Sequence, residues 1–105
     1  MDDGAKKKLQ YFVLICNPKK QDTYTALLKE HGARGVSAVY GHGSAAVGSL
    51  ARAFGFEGVQ EKILITCLLP NENAAEMIEI LYREYNFDKP NTGIAYCVSV
   101  EGLMF

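Results

Sequence analysis

The apolar residues of this chain repeat with two different spacings, and the order of those spacings constrains the fold more than any other feature. Stretches rich in β-branched and aromatic residues, typical of strands, alternate with stretches in which apolar residues recur every three or four positions, typical of helices. The predicted elements are strand, helix, strand, strand, helix and strand, at Leu9–Cys16, Asp22–Glu30, Gly35–Gly41, Lys62–Leu69, Glu72–Tyr85 and Gly93–Val100. The chain therefore contains two strand-helix-strand units in succession.

Proline and glycine mark the ends of several of these elements. Pro18 ends the first strand and Pro70 ends the third, because proline cannot donate a ladder hydrogen bond. Asp22 or Thr23 is expected to cap the first helix, and Gly32 is expected to end it.

Two strand-helix-strand units in this order predict an α+β, ferredoxin-like βαββαβ fold. Right-handed crossovers then give a four-stranded antiparallel sheet with strands one and three at its centre and both helices on one face. Strands one, three and four are apolar on both sides, so the face without helices would expose a large apolar surface. We therefore predict a homo-oligomer in which sheets of neighbouring copies pack together.

The composition fits a single globular domain at residues 9–105, preceded by a flexible N-terminal tail at residues 1–8. Of the 105 residues, 49% are hydrophobic and 22% are charged, and the formal net charge is -1. This balance gives no electrostatic attraction to nucleic acid, and no apolar run is long enough to insert into a membrane. Cys16, Cys67 and Cys97 form no closely spaced pair and lie among apolar residues, which predicts core thiols in a cytoplasmic protein.

The connection between the second and third strands, residues 41–62, is unusually long for a compact domain, where roughly two to six residues are common. It is rich in glycine and also has a helical apolar pattern. That pattern predicts a short amphipathic helix that contacts a partner protein, and covering the edge of its own sheet is the alternative. An ordinary surface loop is a further alternative. The candidate partner-binding residues are Val47, Leu50, Phe54 and Phe56.

Residue types suited to holding an anion occur where three predicted elements begin or end. Glycines let a ligand approach the backbone, and serine can cap a helix whose first amide groups receive a phosphate or carboxylate. Lysine adds a point charge, and asparagine and threonine add amide and hydroxyl donors. The candidate ligand-binding residues are Gly41, His42, Gly43, Ser44, Lys62, Asn91, Thr92 and Gly93.

Taken in order, these features resemble the PII-type nitrogen regulatory proteins, a family of trimeric ferredoxin-like signalling proteins. The resemblance extends from about Tyr11 to Val100. It rests on the element order, the turn His31–Gly35, the Gly41–Gly43 that closes the second strand, the long connection that follows, Glu61-Lys62 before the third strand, and the final strand Gly93–Val100.

The resemblance implies a function. In PII-type proteins, ATP or ADP binds in clefts between neighbouring subunits, and the long connection, called the T-loop, changes shape and docks on a partner. By this resemblance the chain is a homotrimer that senses a small ligand, with ATP, ADP or AMP as the candidate, and is not an enzyme. Its partner would be a membrane transporter or a metabolic enzyme. The chain departs from the family pattern at Pro90–Gly93, where a Gly-Asp-Gly-Lys run is expected, and it has no tyrosine between Gly41 and Lys62.

Two other functions are alternatives. A small ferredoxin-like enzyme would use His42 as a general base, because an imidazole titrates near neutral pH. The sequence offers no recognisable second catalytic group for it. A metal-handling trimer would use His42 and the cysteines, although their spacing matches no common metal motif. We therefore predict neither catalytic residues nor metal ligands.

Overall fold

The computed structural model describes residues 8–40, 62–89 and 92–101. Its elements follow the predicted order, and no bound differs from the prediction by more than one residue. The α+β, βαββαβ prediction is therefore confirmed. The elements are β1 Leu9–Cys16, α1 Gln21–Glu30, β2 Arg34–Tyr40, β3 Ile63–Pro70, α2 Asn71–Glu84 and β4 Ile94–Ser99.

The four strands form one antiparallel sheet with the order β2-β3-β1-β4, so β1 and β3 are central, as predicted. In the register, Cys16 of β1 lies opposite Ile63 of β3, and Leu14 lies opposite Ala95 of β4. β2 and β4 are therefore the two edges of the sheet.

The hydrophobic core lies between the sheet and the two helices. Every second residue of β3 is buried, because successive side chains of a strand point to opposite faces. Both helices cover the same face of the sheet, as predicted. The core residues of β3 are Ile63, Ile65, Cys67 and Leu69, and they cluster with Leu28 of α1 and with Ala74, Met77 and Leu81 of α2.

A turn, rather than a capping side chain, leads into α1. Asn17 accepts a hydrogen bond from the backbone N–H of Lys19 at 2.9 Å, and this starts a short 3-10 helix, Pro18–Lys20. α1 follows directly at Gln21, and no side chain caps it. The prediction that Asp22 or Thr23 caps α1 was wrong, because both residues lie inside the helix whose start the preceding turn sets.

A residue with positive φ follows each of these two helices. Gly32 follows α1, where it was predicted to end the helix, and Asn86 follows α2. Asn86 has a φ of 60°, and the next residue, Phe87, donates its N–H to the carbonyl of Leu81 at 3.1 Å. This helix ending favours glycine or asparagine.

Replacing Asn86 by alanine is expected to lower the free energy of unfolding by about 1 kcal/mol, because a Cβ is unfavourable at positive φ and alanine has no polar group to compensate. Asn86→Gly should stay within about 0.5 kcal/mol of the parent, because glycine adopts this conformation freely. Urea denaturation of the two variants at one protein concentration measures the difference. Equal losses of unfolding free energy in the two variants would contradict the positive φ at Asn86.

The face of the sheet opposite α1 and α2 is largely apolar. The register places Tyr11, Val39 and Val98 on this face, and they are 43%, 49% and 52% exposed. Val13 and Ile15 lie on the same face of the central strand β1 and are buried. An exposed apolar surface on this side is what the strand sequences predicted.

Candidate functional site

One end of the sheet collects the described residues that were predicted to bind a ligand. β1 ends there at Cys16 and β2 ends there at Tyr40. Both residues lie opposite Ile63, the first residue of β3. β4 also begins there, with Ile94 opposite Ile15. We call this the loop end of the sheet. Lys62 precedes β3, and Thr92 and Gly93 precede β4, so all three residues lie at the loop end. Because β1 lies between β3 and β4, Lys62 is roughly 10 Å from the other two by strand spacing.

Lys62 is buried at the loop end. Its side chain and backbone together are 8% exposed, and within the described residues it is the one charged residue that is buried. Burial raises the pKa of the neighbouring Cys16 thiol to about 12, and the positive charge of Lys62 opposes that rise. The ammonium group therefore lies near the end of β1. Sequence analysis predicted Lys62 as a ligand-binding charge, but it gave no sign that the residue would be buried.

Gly93 is tightly enclosed. A Cβ atom at this position would lie 2.6 Å from Cε2 and from Cζ of Phe87 and 3.0 Å from the backbone oxygen of Ile15. Glycine is therefore required here for packing, whatever it does for a ligand. The preceding residue, Thr92, is half-buried. Together they form the part of the turn before β4 that the structure describes.

A pocket of about 300 Å³ lies between α2 and the start of β4 and reaches Gly93. Its walls are mostly apolar, and two aromatic side chains contribute to them. Sequence analysis missed it, because its lining comes from a helix, a turn and a strand. The available signal was a pair of small residues, Gly93 just before β4 and Ala95 within it. The lining residues are Ile78, Leu81, Tyr82, Phe87, Gly93, Ile94 and Ala95.

Three aromatic rings join α1 to the turn that follows α2. Tyr24 of α1 is buried and makes an edge-to-face contact with Phe87, with ring centroids 5.6 Å apart and an interplanar angle of 87°. It makes a second such contact with Tyr85, also at 5.6 Å. Aromatic contacts of this geometry stabilise a fold beyond the area they bury. Phe87 thus lies between the buried Tyr24 and the backbone of Gly93.

All of the other predicted site residues lie outside the described residues. They include His42, on which both the enzyme alternative and the metal-handling alternative depend. The candidate ligand residues concerned are Gly41, His42, Gly43, Ser44 and Asn91, and the candidate partner-binding residues are Val47, Leu50, Phe54 and Phe56.

The three cysteines are free thiols, two buried and one exposed. Cys16 and Cys67 lie in the core, and burial raises the pKa of the Cys67 thiol to about 11. Cys97 is exposed, so the prediction of a third core thiol was wrong. It lies in β4, an edge strand whose second half carries exposed side chains.

Across residues 8–40, 62–89 and 92–101, no group of three or more His, Cys, Asp or Glu side chains is arranged to hold a metal ion. In the same part of the chain, no helix has both the length and the apolar character needed to cross a membrane.

Several solved structures with the same fold are PII-like proteins. A PII-like signalling protein of Thermus thermophilus has a TM-score of 0.63 and 18% identity, covering 90% of this chain and 87% of that one. CPII of Thiomonas intermedia, bound to ADP, AMP and acetate, has a TM-score of 0.63 and 20% identity, covering 90% of each chain. The GlnK–ATP complex of B. subtilis has a TM-score of 0.53 and 14% identity, covering 89% and 84%. No protein-family model matches the chain, and no curated protein matches it significantly.

The chain therefore shares the fold of PII-like proteins over about 90% of its length. The resemblance predicted from the sequence is confirmed at the level of the fold, including the positions of both helices and the order of the four strands. Ligand, assembly and partner are not features of the fold alone.

Proposed function

We propose that this chain is a regulatory protein that senses an adenine nucleotide at the loop end of the sheet and reports its binding to a partner protein through residues 41–62. The observation that carries the proposal is the burial of Lys62 at the junction between that segment and β3. Two proteins of the same fold are described as complexes with ADP and AMP or with ATP, which supports this ligand class.

Lys62 gives the loop end its main attraction for an anion. A partly desolvated ammonium group interacts more strongly with a phosphate than a solvated one does, because water screens it less. The Thr92 hydroxyl and the backbone of Gly93 lie at the same end and add hydrogen-bonding groups. In the proposed site these groups bind the phosphates, together with Gly41, His42, Gly43, Ser44 and Asn91.

Lys62 also connects the ligand to the signalling segment. It is the last residue of the segment and directly precedes β3, a rigid central strand. A ligand that contacts Lys62 therefore contacts one end of the segment, and it shifts the population of the segment's conformations by its difference in affinity for them. In the proposal, Val47, Leu50, Phe54 and Phe56 form the surface that docks on the partner, a transporter or a metabolic enzyme.

We further propose that the protein is a cytoplasmic homotrimer and not an enzyme. The exposed apolar side chains Tyr11, Val39 and Val98, on the face of the sheet opposite α1 and α2, support packing between copies. The three free thiols support a reducing compartment. In the proposal, residues 9–105 belong to one domain. Light scattering on the purified chain tests the assembly directly, with a mass of three chains as the expected result.

The ligand is tested by calorimetric titration with ADP, AMP and ATP and by the shift of the melting temperature that each nucleotide causes. Lys62→Met keeps the apolar stem and removes the charge, and we expect it to weaken nucleotide binding by about tenfold or more, because a charge-assisted contact is lost. Lys89→Met is the matched control. Lys89 is an exposed lysine in the turn after α2, and its loss should change the affinity by no more than about twofold.

Two results would contradict the proposal. One is the absence of any melting-temperature shift with all three nucleotides. The other is equal nucleotide affinity in the parent and in Lys62→Met when the variant is folded, as judged by circular dichroism.

A further inference from the structure

The turn before β4 packs against one aromatic ring, that of Phe87. The clearance at Gly93 is so small that a single added carbon would lie 2.6 Å from two ring atoms of Phe87. The same added carbon would lie 3.0 Å from the backbone oxygen of Ile15. Gly93 therefore packs closely against both the Phe87 ring and the central strand β1.

Phe87 itself has little freedom to move. Its N–H donates to the carbonyl of Leu81 in the last turn of α2, at 3.1 Å, and its ring meets the buried ring of Tyr24 at 5.6 Å. The residue before it, Asn86, is fixed at positive φ and accepts a hydrogen bond from the N–H of Lys89 at 2.9 Å. The ring therefore has a fixed position against which the turn packs.

We propose that Phe87 is a positioning residue for the ligand turn, which we define as Thr92 and Gly93. It sets the direction of the Gly93 backbone and of the Thr92 hydroxyl without contacting the ligand. This inference rests on the proposed function, because it assigns a role to Phe87 in the same binding site. Groups that are held in the bound geometry before the ligand arrives lose less entropy on binding, so a loosened turn binds more weakly.

Phe87 also couples the ligand turn to α1, because Tyr24 belongs to that helix. Tyr85 provides the comparison that separates positioning from general stability. Tyr85 makes an edge-to-face contact with the same Tyr24 at the same centroid distance. The three atoms nearest to a Cβ added at Gly93 belong to Phe87 and Ile15, and none belongs to Tyr85.

The test compares Phe87→Leu with Tyr85→Leu in the full-length chain. Each variant loses one aromatic contact with Tyr24, so both should show a similar, moderate decrease in melting temperature. ADP affinity is measured by calorimetry below both melting transitions. We expect Phe87→Leu to bind ADP about tenfold more weakly than the parent and Tyr85→Leu to stay within about twofold. Equal effects of the two substitutions on affinity would overturn the proposal.

A second measurement needs no ligand. Backbone ¹⁵N order parameters of Thr92 and Gly93 report their motion directly, with about 0.85 typical of rigid backbone and values below about 0.6 typical of flexible backbone. We expect both residues to become more mobile in Phe87→Leu but not in Tyr85→Leu. Unchanged order parameters in Phe87→Leu would overturn the positioning role even if ADP binds.

The two measurements separate the failure of this inference from the failure of the proposed function. If the parent chain binds no adenine nucleotide while Phe87→Leu mobilises Thr92 and Gly93, the proposed ligand is wrong and the positioning of the turn stands. If the parent binds ADP and neither variant differs from it, the ligand stands and the role of Phe87 is wrong.

Discussion

Gly93→Ala is expected to lower the free energy of unfolding by about 1–3 kcal/mol, the usual cost of adding atoms to a well-packed region. The new Cβ would lie 2.6 Å from Cε2 and Cζ of Phe87 and 3.0 Å from the oxygen of Ile15. The Phe87 ring cannot simply turn aside, because the ring of Tyr24 packs against it. The backbone of Ile15 belongs to the central strand β1 and is also fixed. Urea denaturation at one protein concentration measures the loss.

A double-mutant cycle with Phe87→Leu identifies the cause of that loss. Leucine has no atoms corresponding to Cε2 and Cζ, so Gly93→Ala should cost less in the Phe87→Leu background, with a coupling energy on the order of 1 kcal/mol. Gly35→Ala is the matched control for strain without a clash. Gly35 has a φ of 61°, and a Cβ added there would have no atom within 4 Å, so its cost should not depend on residue 87. An equal cost of Gly93→Ala in both backgrounds would show that the Phe87 contact is not responsible.

The order and bounds of the elements could be predicted because each depends on local chemistry. Pro18 and Pro70 cannot continue a strand ladder, and Gly32 supplies the positive φ at which α1 ends. Right-handed crossovers predicted that β1 and β3 are central, and the sheet order confirms it. The cap of α1 was predicted wrongly because the 3-10 turn at Pro18–Lys20 has no periodic signal of its own.

The candidate site was less predictable because its features depend on contacts between distant segments. The sequence identified Lys62 as a candidate because it is a lysine at the start of a strand, but no local pattern indicates that it is buried. Phe87 lies in a turn rich in polar residues, where no pattern indicates that its ring packs beneath Gly93. Cys97 has the apolar neighbours of a core residue, yet it is exposed because β4 is an edge strand.

Raising the pH from about 9 to 11 is expected to destabilise the folded chain strongly. Burial raises the pKa of Cys16 from 9.0 to about 12 and that of Cys67 from 9.0 to about 11. Above pH 9 the unfolded chain therefore releases protons that the folded chain keeps. A raised folded-state pKa gives stability that is fully present below the unfolded value and is lost as the pH rises towards the folded value. Each thiol then removes about 1.4 kcal/mol per pH unit.

Over the interval from pH 9 to 11, the two thiols together remove on the order of 5 kcal/mol, which is comparable to the whole stability of a small domain. Burial also raises the pKa of Tyr24, and this adds to the loss in the same direction. The measurement is a series of urea denaturation curves at closely spaced pH values, with reductant present so that the thiols stay free. The slope of the unfolding free energy against pH is the quantity to compare.

Cys67→Ala isolates the contribution of one buried thiol. Its stability at pH 7 should be lower, because a buried sulfur is replaced by a smaller group. Its loss of stability between pH 9 and 11 should be smaller than that of the parent, by about 1 kcal/mol per pH unit on average. Cys97→Ala removes an exposed thiol and is the matched control. All other ionisable groups are the same in the proteins compared, so their contributions cancel. A slope in Cys67→Ala equal to that of the parent would mean that the Cys67 thiol ionises in the folded chain as readily as in the unfolded one, which its burial beneath α2 should prevent.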